Sequence, residues 1–322
     1  MGAGFGRPWS GVEADLEVGL WGNPMRMKTT LTTLAAVAVI AVGAVSLPVD
    51  AQIRGASRAP AKPARDPKAQ ALYDWANHMG MLRGVREVDA IATLQLTGAS
   101  GTITVAGQPC RLTEYNVSVN YQDGGMRVLY TCTRPDSTVY KTGEVVAAKY
   151  AWDEDGPIGA GLVPGRGKAL PMPDLLNERL TRLWASPQGA VKAAVAGGAQ
   201  TTVAVEAGRK VVTYPIPGVA GAIAKATLTS GSPTGLCTSD CAERIEVRQG
   251  TNVTEFLYSN YADYNPADNR LDAFYAGHMI EKKNGTTVRD LTVKETHTEN
   301  LYVVIPVPEI VKNAGARQSA AN

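Results

Sequence analysis

The feature that most constrains the fold is a long succession of short, strand-like segments joined by tight turns. From residue 91 to residue 150 the chain contains "ATLQLTG", "GTITVAG", "YNVSVNY" and "RVLYTCT", which are rich in β-branched or aromatic residues and separated by Gly or Asp-Gly turns. A second series of such segments begins at residue 201. Because parallel strands need long crossover connections, short turns like these join antiparallel neighbours. The sequence therefore predicts a large antiparallel sheet.

Three helices are predicted beside this sheet. Asp66-Pro67 has the form of an N-cap followed by a first-turn proline, and Ser186-Pro187 repeats it. Between them, Asp174 precedes leucines at helical spacing. The predicted fold is α+β: a large curved antiparallel sheet, an incomplete barrel, with about three helices covering one face.

The ends of the chain are predicted to lie outside this domain. Residues 25–53, "MRMKTTLTTLAAVAVIAVGAVSLPVDAQI", combine a basic start, an apolar run and a small-residue exit, which is the plan of a signal peptide cleaved near Ala51-Gln52. A retained signal anchor is the alternative. Within residues 1–51, the first 24 are interpreted as a misassigned upstream extension. Residues 52–67 are predicted to be a flexible linker, 68–313 a single domain, and 314–322 a disordered tail, in a periplasmic or secreted protein.

The overall charge balance gives no support to a strongly charged partner. Residues 52–322 carry 29 basic and 26 acidic side chains. This overall balance is too even to argue for nucleic acid or an anionic surface as the partner.

Four cysteines remain after the predicted cleavage: Cys110, Cys132, Cys237 and Cys241. An even number of cysteines in an exported chain indicates disulfides, and proximity in sequence predicts the pairs 110–132 and 237–241. A four-cysteine zinc site is the alternative, although paired CxxC spacing is lacking.

The first of these bridges requires an irregular hairpin. Counting back from the turn at residues 122–125 places Cys132 opposite Tyr115 rather than opposite Cys110. The sequence therefore predicts a bulge or a fold-back near Thr113-Glu114 that brings the two sulfurs together.

The sequence contains only incomplete versions of known catalytic and metal-binding motifs. A hairpin loop at residues 283–285 would place His278 opposite Asp290, which is half of a catalytic triad, but no nucleophile motif accompanies it. "GLVPGRGKAL" lacks the spacing of a phosphate-binding loop. Asp263, Asn265 and Asp268 only partly match a calcium loop. We therefore predict a non-enzyme with no cofactor and no metal, and a hydrolase using His278 and Asp290 remains an alternative.

Tyrosines recur at every third position in "EFLYSNYADYNP", at Tyr258, Tyr261 and Tyr264. This spacing matches neither a half-buried strand nor a helix. We predict that Phe256 and Tyr258 pack in the core, and that Tyr261 and Tyr264 lie at the rim of the sheet, where an amphipathic ring meets both ligand and water.

Several segments resemble a bacterial exported module. These are "RLWASPQGAVKAA" (182–194), "RKVVTYPIPG" (209–218), "ERIEVRQGTNVTEFLYSNYADYN" and the stretch 278–308. They are similar to the non-catalytic N-terminal region of secreted metallo-β-lactamase-fold hydrolases. The ending is similar to the LolA-like family of lipoprotein carriers, which implies a sheet with helices over an apolar cavity. The zinc motif HxHxDH is absent, so hydrolase activity does not carry over.

The resemblance and the apolar helix faces together predict an exported carrier of a lipid-like ligand or a lipidated partner. The predicted contacts in the hollow between sheet and helices are Trp75, Met79, Trp184, Tyr261 and Tyr264. The alternative is a protein–protein interaction module associated with a secreted hydrolase in the cell envelope. A hollow smaller than about 300 Å³ would favour this module, because small-molecule sites are rarely smaller.

Overall fold

The computed structural model describes residues 65–84, 88–230, 237, 239–265, 273–298 and 302–321. They belong to one compact unit, Lys62–Asn322. The predicted signal peptide and nearly all of the predicted linker lie outside the described residues. Among these residues, none of the helices has the length and apolar character needed to cross a membrane.

Strands make up most of the described chain. Their bounds are β1 Leu82–Arg83, β2 Val88–Asp89, β3 Thr93–Val105, β4 Gln108–Asn120, β5 Gly125–Thr133, β6 Val139–Ala147, β7 Tyr150–Asp155, β8 Lys168–Pro171, β9 Thr202–Glu206, β10 Arg209–Pro215, β11 Ile223–Leu228, β12 Ala242–Gln249, β13 Asn252–Ala262, β14 Tyr275–Lys283 and β15 Thr286–Thr298.

Thirteen of these strands form one sheet in the order β8-β7-β6-β5-β4-β3-β15-β14-β13-β12-β11-β10-β9, and β1 pairs with β2 separately. All of the pairs are antiparallel, as in the pairing of Ile103 on β3 with Arg289 on β15. The two outermost strands, β8 and β9, do not pair with each other, so the sheet is not closed into a barrel. The predicted α+β fold with a large open antiparallel sheet is confirmed.

Four helices accompany the sheet: α1 Pro67–His78, α2 Leu176–Trp184, α3 Pro187–Ala196 and α4 Glu309–Ala321. The caps predicted for α1 and α3 are present, because Asp66 accepts a hydrogen bond from the Ala69 amide and Ser186 accepts one from the Gly189 amide. Asp174 instead lies in a 3₁₀ turn, Pro173–Leu175, and α2 begins after it. The segment predicted as a disordered tail is helical up to Ala321.

The two faces of the sheet carry separate cores. Val145 and Val146 are consecutive on β6 and both fully buried, so they point to opposite faces. Val146 belongs to the larger core, which also contains buried residues of α1, α2 and α3. Val145 belongs to a smaller core with Trp152 and Val311. Helices α1–α3 therefore cover one face, and α4 contributes to the cover of the other beside β7 and β8.

Both predicted disulfides are present. Cys110 and Cys132 have their Cα atoms 5.5 Å apart, and Cys237 and Cys241 have theirs 6.3 Å apart. The register of β4 and β5 shifts between Leu112 and Glu114, which is the predicted bulge. The predicted opposite residue was wrong, however, because Cys132 lies opposite Leu112 and Tyr115 lies opposite Tyr130.

The unusual tyrosine spacing has a backbone cause. Asn260 lies on β13 between Tyr258 and Tyr261 and has a positive φ of 57°. This left-handed residue interrupts the alternation of the strand, so that Tyr258 and Tyr261, three positions apart, are both buried in the larger core. The predicted rim position of Tyr261 is wrong, whereas the predicted packing of Phe256 and Tyr258 is confirmed.

Candidate functional site

Helix α2 holds the sheet through charged side chains. Arg179 donates from Nη1 to the carbonyl oxygen of Val145 at 3.0 Å and to that of Trp152. Its Nη2 forms an ion pair with Asp153. These bonds join one turn of α2 to β6 and β7 at once, which restricts the movement of α2 away from the sheet.

A second arginine of α2 forms the centre of a buried charged cluster. The guanidinium of Arg182 donates to Glu281 at 3.0 Å, to Glu144 at 3.2 Å and to Glu178 at 2.9 Å. Arg182 and Glu178 are four residues apart on the helix, so both reach the same side. Glu144 and Glu281 come from β6 and β14, which are distant in the sheet order.

Arg289 on β15 completes this cluster. It donates to Glu144 at 2.9 Å and approaches Glu281 at 3.2 Å. Its other terminal nitrogen, Nη1, is buried and has no hydrogen-bond partner among the described residues. Two arginines, Arg182 and Arg289, thus face two glutamates, while Glu178 also pairs with Lys283 at 2.6 Å. Within the described chain the cluster is balanced in charge.

The electrostatics keep these groups ionised at neutral pH. Burial alone would raise the pKa of Glu144, but Arg289 and Arg182 outweigh it and lower that pKa from 4.5 to about 2. Burial likewise opposes ionisation of Glu281, and Arg182 and Arg289 lower its pKa as well. Because the glutamates stay charged and paired, the cluster is suited to fixing α2 on the sheet, not to exchanging protons.

A cavity of about 60 Å³ lies beside this cluster, between the sheet and the helices. Its lining is mainly apolar and consists of Tyr115, Val117, Val119, Met126, Val128, Arg182, Ser186, Phe256, Tyr258, Tyr275, Met279, Ile280, Glu281, Arg289 and Leu291. This volume accommodates a few water molecules. It is well below the 300–1,000 Å³ or so that is usual for a small-molecule site.

Two of the three larger depressions in the described chain lie beside α2 and beside the Cys110 disulfide. One, of about 300 Å³, is lined by polar residues around α2 such as Asn177, Glu178 and Asn252. The other, of about 610 Å³, lies beside the Cys110 disulfide and is lined in part by Arg111. The first lacks the apolar lining predicted for a lipid-like ligand, whereas the second combines apolar residues such as Leu112 with Arg111 and Arg134.

The five predicted ligand contacts lie elsewhere in the structure. Trp75 and Met79 are fully buried in the larger core. Tyr261 is buried too and donates to the Ala242 carbonyl at 2.7 Å, and Tyr264 donates to the Asn260 carbonyl. Trp184 is half-buried near Tyr121. None of the five is among the described residues that line the apolar cavity.

The charged cluster was missed from the sequence, although a signal for it existed. Glu281 lies two residues after Met279, and Arg289 lies two residues before Leu291. Residues two apart on a strand share a face, so two charges on an otherwise apolar face indicated a buried pair. What the sequence did not show was that β14 and β15 would place them beside α2.

His278 and Asp290 do meet, but by a different register from the one predicted. His278 lies opposite Thr292, and Asp290 lies opposite Ile280, because the turn contains only Asn284 and Gly285 and the register shifts by one further residue between Glu281 and Lys282. The contact of 2.7 Å between His278 Nε2 and Asp290 Oδ1 is therefore diagonal. The pair is largely exposed, and no serine, threonine or cysteine of the described chain is hydrogen-bonded to this histidine.

A second serine–histidine–aspartate grouping also lacks the geometry of a triad. Ser239 Oγ lies 3.4 Å from His78 Nδ1, and Asp240 lies 3.3 Å from the same nitrogen. A triad needs the nucleophile and the acid on different ring nitrogens. Among the described residues there is no group of three or more potential metal ligands, and Asp268 of the calcium-like stretch lies outside them.

The chain matches no protein-family model, and the curated proteins include no significant match to it.

Proposed function

We propose that the protein is a non-catalytic interaction module of the cell envelope that acts through its surface. Its protein partner would be of the kind suggested by the resemblance, a secreted hydrolase. The observation that carries this proposal is the volume of the hollow, about 60 Å³, where an enclosed ligand would need about 300 Å³. The ties from Arg179 and Arg182 to the sheet oppose enlargement of that space.

A lipid-like ligand remains the second candidate, and one observation favours it. Nη1 of Arg289 is an unpartnered donor within the described chain, on a residue that lines an apolar cavity. Buried donors are normally satisfied, so the position suits a hydrogen-bond acceptor. Because the surrounding cluster is already balanced in charge, that acceptor would be neutral, such as an ester or amide carbonyl. Binding of an acyl chain there would require α2 and α3 to move away from the sheet.

Titration with a fluorescent acyl probe separates the two functions. If the protein is an interaction module, the exported protein should show no saturable binding of the acyl probe. If the protein is a carrier, it should bind the probe saturably, and Val128→Leu should abolish this binding. Val128 lines the cavity, and the larger leucine side chain would fill it. Val145→Leu is the matched control, because Val145 is equally buried but belongs to the core on the opposite face.

One combination of results would contradict the proposed interaction module. Saturable probe binding that Val128→Leu abolishes and Val145→Leu preserves would establish the carrier instead. Binding that neither variant changes would place the probe outside the hollow and leave the module ahead.

A further inference from the structure

We propose that the loop of residues 156–167, named here the apolar loop, docks the protein on a lipid surface rich in anionic headgroups. This inference is independent of the proposed partner protein and concerns a surface at the opposite face from helices α1–α3. It rests on the composition of the loop, its backbone hydrogen bonds and the charges beside it.

The tip of the apolar loop has no polar side chain. Residues 156–165 read "GPIGAGLVPG". Ile158 is 65% exposed, Val163 is 49% exposed and Leu162 is 38% exposed. They account for three of the twelve large apolar side chains that are exposed in the described chain. Such a concentration of exposed apolar surface marks an interaction site.

Three backbone amides of the apolar loop are satisfied by carbonyls of the same loop. Amides of the loop donate to loop carbonyls in three successive turns: Ala160 to Pro157, Leu162 to Gly159 and Arg166 to Val163, at 3.0–3.2 Å. This matters because a segment that enters the apolar boundary of a membrane cannot leave backbone groups without partners.

The loop is also held firmly against β8. A Cβ atom at Gly161 would lie 2.6 Å from the Cβ of Ala169, so only glycine permits this approach. The apolar side chains are therefore presented by a preformed scaffold.

Cations flank the apolar tip. Arg166 and Lys168 follow it directly, and Lys141 shares a groove with Asp155 and the first residues of the loop. These three cations are exposed. Asp155, an exposed carboxylate, lies directly opposite Lys168, so Arg166 and Lys141 carry the local excess of positive charge. Glu154 does not offset them, because it is buried in a bidentate pair with Arg127. An excess of positive charge around an apolar tip complements anionic headgroups above an acyl layer.

A lipid surface fits this loop better than a protein pocket does. The side chains that dominate protein interfaces are tryptophan, tyrosine and arginine, whereas leucine and valine are under-represented. The tip offers isoleucine, leucine and valine, with no aromatic residue. Aliphatic side chains of this kind gain from any apolar environment and need no shaped pocket.

Vesicle flotation tests the proposal on the exported, processed protein. We expect it to float with vesicles of phosphatidylcholine and phosphatidylglycerol, and to bind at least tenfold less to phosphatidylcholine alone. The triple variant Ile158→Ser, Leu162→Ser, Val163→Ser should lose at least tenfold in binding. The control Val205→Ser, Val304→Ser, Ile310→Ser removes comparably exposed apolar side chains elsewhere and should bind like the wild type.

Charge reversal tests the contribution of the cations beside the apolar loop. Arg166→Glu with Lys168→Glu should abolish the preference for anionic vesicles, whereas Lys149→Glu with Lys294→Glu, at exposed sites on other strands or turns, should preserve it. Circular dichroism should show that all variants are folded.

Two outcomes would overturn the inference. One is wild-type protein that floats with neither vesicle composition. The other is flotation that the loop variants and their controls reduce equally. If flotation fails and a photo-crosslinker at position 163 instead captures a single protein in the native envelope, the loop is a protein-docking site.

Discussion

Glu144 is the residue on which the charged cluster converges. It accepts hydrogen bonds from Arg182 and Arg289, and from the hydroxyl of Tyr130 at 3.1 Å. Its carboxylate thereby links α2 to β6, β15 and β5. A buried ion pair contributes little net stability over an apolar pair, but removal of one partner leaves the other charge uncompensated.

We therefore expect Glu144→Gln to lower the free energy of unfolding by about 3 kcal/mol, because it leaves Arg182 and Arg289 with one carboxylate fewer. Urea denaturation at pH 7 measures this loss. The matched control is Glu206→Gln, which breaks the exposed pair with Lys225 and should change stability by less than about 1 kcal/mol. Equal effects of the two substitutions would show that the cluster does not hold α2.

The pH dependence of stability follows from the same carboxylate. The pKa of Glu144 is about 2 in the folded protein, against an ordinary 4.5. Above about pH 5 both states are ionised and the full contribution is present, about 3 kcal/mol. As the pH falls from 4.5 to 2 the unfolded chain binds the proton first, so this contribution is lost.

We expect the free energy of unfolding to fall steeply between pH 5 and pH 2, and to fall less steeply in Glu144→Gln. Urea titrations at several pH values measure both slopes. Parallel slopes for the two proteins would contradict the depressed pKa of Glu144.

At the level of secondary structure, the two disulfides close loops of different size. Cys110 and Cys132 are 22 residues apart, whereas Cys237 and Cys241 are 4 apart. A bridge that closes a longer loop removes more entropy from the unfolded chain.

Replacing both cysteines of the longer bridge by alanine should cost about 3 kcal/mol, and the same change at the shorter bridge about 2 kcal/mol. Denaturation of the two double variants measures the difference, and mass spectrometry of the unreduced parent confirms the pairing beforehand. A larger loss from the shorter bridge would contradict this order.

Gly101 fixes how β3 lies against β15. Its φ is +141°, and a Cβ atom there would lie 1.9 Å from the carbonyl oxygen of Asp290. Gly107, in the turn after β3, also has a positive φ, +76°, but its Cβ would meet nothing within 4 Å. The two glycines therefore separate the effect of backbone conformation from that of steric contact.

We expect Gly107→Ala to cost about 1 kcal/mol and Gly101→Ala to cost more, because the second also forces β3 away from β15. Thermal denaturation of the two variants tests this order. Equal losses would show that β3 adapts to the added methyl group.

The helix caps could be predicted from the sequence, because they depend on neighbouring residues. The register between strands could be predicted only in part. The caps at Asp66 and Ser186 act through neighbouring residues, which explains why α1 and α3 were predicted correctly. The bulge near Thr113 was predicted because the Cys110–Cys132 disulfide requires the two sulfur atoms to approach each other. The register of β14 and β15 depends on a shift between Glu281 and Lys282. No local residue pattern predicts this shift.

For the molecule as a whole, the central pairing joins β3 to β15, which places Ile103 opposite Arg289. Nothing in a single sequence specifies a contact between residues so far apart, and the charged cluster depends on it. A cavity does lie between the sheet and the helices, as predicted. Its volume depends on side-chain packing, which the periodicity of hydrophobic residues does not reveal. Three of the five predicted contacts, Trp75, Met79 and Tyr261, are buried core residues.

The central claim is that the protein binds through its surface and encloses no ligand. Native mass spectrometry of the protein, purified gently from its own envelope, tests this claim most directly. We predict a chain that begins near Gln52 and contains two disulfides, either alone or in complex with a second protein, without a stoichiometric lipid. A mass increment that organic extraction removes and identifies as one bound lipid per chain would contradict the account.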